Sequence, residues 1–160
     1  MLTMRIHERL NEAFRPKTVK IGDQVWMAEN LNIDDGSGDV YTDDNGTTYY
    51  SQDAAIRIAK GVPGWHLPTA AEWKEAGKSS ANLQKDLGVE LNGYHVIGDL
   101  GEDTYNRYVK GFFWTPEKTT DDGSFGKYAY FTNGPKHDLY FLTDRGDSTR
   151  FMANVRLVKD

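Results

Sequence analysis

A chain of 160 residues with 24 acidic and 19 basic side chains carries a net charge of −5, which gives no footing for nucleic-acid binding. It contains no cysteine, so disulfides, thiolate metal sites and cysteine nucleophiles are excluded together. No apolar run approaches ~18 residues, so no membrane span is expected. Aromatic residues, 12% of the chain, supply large buried areas for one domain-sized core.

Leu2, Ile6, Leu10 and Phe14 recur every four residues, which predicts a short amphipathic helix that Pro16 ends. Residues 1–16 are therefore read as an N-terminal arm and residues 17–160 as the domain proper. A stripe this short must dock, either on its own domain or on a partner: a second copy, or a virion or scaffold protein. The first residues lack the apolar core and small-residue cleavage site of a secretory signal. The expected setting is thus a cytoplasm, or export by another route such as release in phage particles. A removed leader would place the chain at a cell surface instead. Residues 1–20 carry a net +3, residues 21–56 a net −8, and the remainder balances.

From Lys17 the period changes to two. "KTVKIGDQVWMAENL" predicts a hairpin turning near Gly22, and "NIDDGSGDVYTDDNGTTYY" is turn chemistry throughout, with "DNG" its clearest turn. Ser51 caps a helix over 52–60 that Gly61 closes. Thr69 to Glu72 form a capping box, so a second helix starts at Ala70, carries Trp73 inward and ends at Gly77. A third, 81–87, lies between Ser80 and Gly88. "GFFWTP", "KYAYFT", "DLYFLT" and "RFMANVRLV" are aromatic or β-branched runs between turns, hence strands. Helices in the first half and strands in the second imply an α+β domain.

Three stretches, "TVKIGDQVWMAENL" (18–31), "GWHLPTAAEW" (64–73) and "VRLVKD" (155–160), resemble the Fibrobacter succinogenes major paralogous domain family. "FFWTPEK" (112–118) stands where the family usually has a Trp-Trp-Ser-Ser-Thr block, a looser correspondence. The resemblance implies a C-type-lectin-like fold of two or three short helices and antiparallel strands, with the first and last strands close together. The family is common in Bacteroidetes and their phages. Its members usually carry cysteines at the positions of Val62 and Leu157, so an aliphatic contact is expected to replace a disulfide. The formylglycine-generating enzymes have a related fold, but their chemistry needs cysteine, which this chain lacks.

His7, His66, His95 and His137 show no close ligand spacing and no HExxH pattern, and no P-loop, dinucleotide or nucleophile-elbow motif is present. His66 is expected to be packed and hydrogen-bonded rather than catalytic, and no enzyme activity or resident cofactor is expected. Asp34, Asp35, Asp39, Asp43 and Asp44 supply hard oxygens among glycines and are the candidate calcium ligands, against a plain solvated loop. In lectin-fold proteins with variable binding faces the region before the last strand displays the ligand site. That similarity points to Tyr128, Tyr130, His137, Asp138, Tyr140, Arg145, Asp147 and Arg150, whose residue types are common on recognition surfaces. Phe113 and Trp114 are expected in the core. The function expected is a non-enzymatic binding module on a phage fibre or head, recognising a bacterial surface glycan or protein. The alternatives are a purely structural decoration protein and an exported Bacteroidetes surface domain.

Overall fold

The computed structural model describes residues 14–98, 101–105, 107–108, 110–122, 124–132, 139–147 and 151–160, with backbone alone at 97–98, 101–103 and 139–147. All but the last three residues of the expected arm lie outside the described residues.

Strands β1 (Thr18–Ile21) and β2 (Gln24–Met27) form the expected hairpin, and Gly22 takes the positive φ of 59° that the two-residue turn demands. The acidic stretch is not turn throughout. Strands β3 (Val40–Thr42) and β4 (Thr48–Tyr50) pair across it, because valine, threonine and tyrosine flank the Asp43–Thr47 turn. The Asp43 carboxylate shapes that turn by accepting from the Asn45 and Thr47 N–H groups, each at 2.9 Å.

Helix α1 (Gln52–Lys60) has the predicted caps, with the Ser51 hydroxyl accepting from the Ala54 N–H. Helix α2 (Ala70–Ser79) starts with the predicted capping box but runs two residues past Gly77. Glycine weakens a helix interior without ending it, and the Ser80 N–H still reaches the Ala76 carbonyl. Helix α3 (Leu83–Asp86) is shorter than expected because the Asn82 side chain, accepting from the Lys85 N–H, is its cap. Among the described residues no helix is long and apolar enough to cross a membrane.

The remaining strands are β5 (Trp65–His66), β6 (Tyr94–Gly98), β7 (Gly101–Tyr105), β8 (Lys110–Lys118), β9 (Phe125–Thr132), β10 (Leu139–Asp147), β11 (Phe151–Met152) and β12 (Val158–Lys159). The β6–β7 hairpin is an addition to the sequence reading. Every pairing between these named strands is antiparallel. The domain is of mixed α and β structure, compatible with the α+β expectation.

Two cores lie on opposite faces of the β8–β9–β10 sheet. Phe112, Trp114 and Tyr128 join one with Ala54, Ala55 and Ile58 of α1; Phe113, Ala129 and Phe131 join the other with Trp73 and Ala76 of α2. Strand residues alternate faces, so a strand buried on both sides must be apolar at every position, as "FFW" and "YAYF" are. Pro116 is tolerated in β8 because β8 is the sheet edge and its register breaks between Trp114 and Lys118.

The last strand closes the domain. Strand β12 lies between β2 and β5 in a sheet ordered β1–β2–β12–β5, so the first hairpin cannot complete its sheet until the chain end arrives. His66 on β5 latches this end. Its Nδ1 meets Asp160 at 2.7 Å and its Nε2 meets Glu72 at 2.8 Å, while Gln24 and the Thr69 N–H also donate to Glu72. Burial opposes a charge on His66, but the bonds to Asp160 and Glu72 outweigh it and raise its pKa above 6.5. Burial pushes Glu72 up, yet its bonds to Thr69, His66 and Gln24 prevail and hold it below 4.5. A raised histidine stabilises the fold fully below its unfolded pKa and loses that contribution as pH climbs through the folded one. The lowered Glu72 contributes above its unfolded pKa and loses it as pH falls through its folded value. The melting temperature should therefore fall on both sides of a mildly acidic maximum. In His66→Gln the alkaline-side decline should flatten; a decline identical to wild type would show that the latch carries no linkage.

Candidate functional site

Every residue from Phe151 to Val158 is buried, and this final run contains two polar side chains, Asn154 and Arg156. A polar group in such a place must find partners or destabilise the fold. Asn154 Nδ2 donates to the Thr48 carbonyl at 2.9 Å, which fastens the run to β4. Arg156, 2% exposed, reaches further. Its Nε donates to Asn30 Oδ1 at 2.7 Å, its Nη1 to the carbonyls of Met27 (3.1 Å) and Leu87 (2.6 Å), and its Nη2 to that of Gly88 (3.3 Å). The guanidinium also lies 5.7 Å from the centre of the Phe113 ring.

These bonds engage four of the five N–H donors of an arginine, and every acceptor is neutral. Desolvation lowers the Arg156 pKa to about 10, and Glu29 and Glu90 act on it through space. The group therefore stays charged at neutral pH, a buried cation held by amide and carbonyl dipoles.

Arg156 lines a cleft of about 370 Å³. One wall is the Ala28–Asn32 segment after β2, a second is the Asn45–Thr48 turn, and a third is Gly88–Asn92 after α3. Besides Arg156, its polar residues are Lys17, Glu29, Asn30, Asn32, Asn45, Thr47, Thr48, Glu90 and Asn92. Two cations face two anions, so the cleft as a whole is neutral. Gly93 brings the third wall in: its φ is 69°, and a Cβ there would sit 1.9 Å from the Tyr105 carbonyl oxygen. The turn wall is braced by an arginine. Arg107 Nη2 donates to Asp43 at 2.6 Å, and the Asn45 amide oxygen, oriented to satisfy the group, accepts from both Arg107 Nη atoms at 3.1 and 3.2 Å.

No family model, curated protein or solved structure matches this chain. The site is therefore judged by its chemistry. Side-chain amides both donate and accept, carboxylates accept, and guanidinium and ammonium groups donate. A ligand with several hydroxyls, each also donor and acceptor, answers such a lining; an apolar side chain does not.

Of the expected site residues, Tyr128 and Tyr130 are fully described, and neither lines this cleft. Tyr128 requires correction: it is 2% exposed and stacks on Phe151 with centroids 5.1 Å apart, because it faces the α1-side core. Tyr130 is half-buried against the same core, stacks on Phe112 and has Lys110 Nζ 5.5 Å from its ring centre. Tyr140 pairs with Tyr130, and Asp147 with Phe125, in the β9–β10 register; Arg145 also lies in β10. The side chains of all three β10 residues, and His137, Asp138 and Arg150 entirely, lie outside the described residues. Phe113 and Trp114 are core, as expected.

Three of the five calcium candidates point at cations of the protein itself. Asp35 and Asp39 clasp Arg57 at 2.8 and 2.7 Å, and the hydrogen bond from Arg57 first of all holds Asp39 down at about 2. Asp43 is engaged by Arg107 and its own turn, Asp34 accepts from the Gly36 N–H, and Asp44 is exposed. Among the described residues no three histidine or acidic side chains are grouped to hold a metal ion.

Asn30, Asn92, Arg107 and Arg156 were not singled out from sequence. The available signal was an arginine inside an otherwise apolar final run. Arg156→Ala should cost about 3 kcal/mol or more, since four polar acceptors lose a charged donor. Asn32→Ala, on the exposed rim, should stay within about 0.5 kcal/mol. Urea denaturation of the two variants tests this; equal midpoints would mean Arg156 is not seated as described.

Proposed function

We propose that this chain is a non-enzymatic binding module of C-type-lectin-like fold, related to the Fibrobacter succinogenes major paralogous domains, that recognises a bacterial surface glycan in the Arg156 cleft. One observation carries the reading: a buried cation with only neutral partners floors a charge-balanced cleft walled by side-chain amides. Packing alone gives little reason to bury a guanidinium, because well-packed apolar residues often stabilise as much.

Two features support the fold and family reading. Strand β12 lies beside β2, so the ends of the domain meet in one sheet. Val62 and Leu157, at the positions of the family's cysteines, are 2% and 0% exposed and belong to one core cluster, as an aliphatic replacement for a bridge requires. The complete absence of cysteine and the apolar stripe of residues 2–14 support display on an assembly built in a reducing cytoplasm, such as a phage fibre or head. On an oligomeric assembly, weak single sites gain avidity.

Purified full-length protein should bind saturably to some members of a panel of Bacteroidetes strains. Binding should be lost on periodate treatment, weakened by Asn92→Ala, and unchanged by EDTA because guanidinium groups already occupy Asp35, Asp39 and Asp43. Binding that survives periodate would point to a protein receptor. Loss with EDTA would restore calcium, and no binding to any strain would leave a purely structural decoration role.

A further inference from the structure

We infer that Tyr108 is the stacking plate of this cleft, the ring on which the apolar face of a neutral pyranose rests while its hydroxyls meet the amide walls. The inference rests on the glycan reading above and adds a ligand class and a specificity-determining residue. Three observations meet at this tyrosine.

The first is conformational. Among the described residues Tyr108 is the only non-glycine with a positive φ, at 66°. The left-handed region is unfavourable for a side chain as bulky as tyrosine, and strain of this kind persists where the surroundings impose it. Here they do: the Tyr108 N–H donates to the Leu91 carbonyl at 2.6 Å, and the neighbouring Arg107 is tied to Asp43 and Asn45.

The second is exposure. The Tyr108 residue is 75% exposed, well above Tyr105 at 45% and Phe125 at 37%. The strained backbone thus carries a side chain that is not buried. The ring is held out in solvent.

The third is position. Leu91, which anchors Tyr108, sits in the chain between Glu90 and Asn92, both of which line the cleft. The Arg107 guanidinium is 5.9 Å from the Tyr108 ring centre and also bonds Asn45 on the facing turn. Tyr108 is not itself a lining residue, but its backbone is tied to one cleft wall and its ring lies near the guanidinium that bonds the facing turn, which places it beside the cleft.

The ligand class follows from the chemistry. One face of a pyranose presents C–H groups of slight positive character, which suit the negative π-face of a tyrosine. Lys17 and Arg156 against Glu29 and Glu90 leave the cleft without net charge, which favours a neutral sugar over a uronic or sialic acid.

The test uses the full chain and a panel of soluble neutral polysaccharides (a β-glucan, an α-mannan and a galactan), with affinity read by calorimetry and stability by melting temperature. Tyr108→Trp should keep wild-type affinity within about threefold, while Tyr108→Ala should weaken it about tenfold or more, the scale of lost ring stacking. Tyr108→Gly should bind as weakly as Tyr108→Ala yet melt at a higher temperature, because glycine relieves the positive φ. Wild-type binding that Tyr108→Ala leaves unchanged overturns the role of Tyr108 alone. Wild-type protein that binds no polysaccharide of the panel overturns this ligand class, and a negative cell panel beside it overturns the glycan reading as well.

Discussion

The structure turns on one buried cation. Arg156 joins three parts of the chain, the end of β2, the end of α3 and the final run that carries it, and so adds α3 to the pairing that already holds β2 against β12. Its carbonyl acceptors belong to segments leaving regular structure, whose main-chain oxygens need partners once they are buried. One planar donor with five N–H groups satisfies several of them at once, a task that lysine with its compact ammonium performs poorly. The same placement shapes the cleft, because two of its three walls are the segments gathered around the guanidinium.

Around that point the fold is built from both faces of a single sheet. Strands β8 and β9 send Phe112, Trp114 and Tyr128 to one side and Phe113, Ala129 and Phe131 to the other, and a helix covers each side. A sheet so enclosed offers its side chains little solvent, which explains why Tyr128, in a stretch that reads like a recognition surface, belongs to the core. Polar groups are concentrated in the loops at the ends of the elements, where a rigid scaffold can position them without burying them unpaired.

What the sequence discloses and what it withholds divide along physical lines. Ser51, Thr69 and Glu72 act within one turn of chain, so the starts of α1 and α2 were legible to the residue, while that of α3 was read two residues early. The runs around Trp114 and Tyr128 were legible as strands, but not the second buried face, since alternation cannot distinguish a solvated face from one that a distant helix covers. Tyr128 was misjudged for that reason. The cleft was hidden more deeply, because its residues come from positions 17–32, 45–48, 88–92 and 156, and only the closure of the last strand assembles them. Arg156 itself stood in plain view between Val155 and Leu157, where the apolar neighbours already implied burial and a buried charge already implied a purpose. The acidic stretch misled in the opposite sense: Arg57 and Arg107, far along the chain, take the carboxylates that read as metal ligands.

Arg156 ties the domain together and, on the reading proposed above, also floors its ligand site. Nitrogen-15 NMR of the Arg156 Nε–H group, assigned by its disappearance in Arg156→Lys, tests both halves in one titration. The account predicts a resolved, slowly exchanging signal in the free protein, as expected for a buried donor on Asn30, that shifts when a periodate-sensitive envelope polysaccharide is added. A signal averaged by rapid exchange in the free protein would contradict the structural half. A protected signal that stays fixed while resonances elsewhere move would place the ligand site away from Arg156.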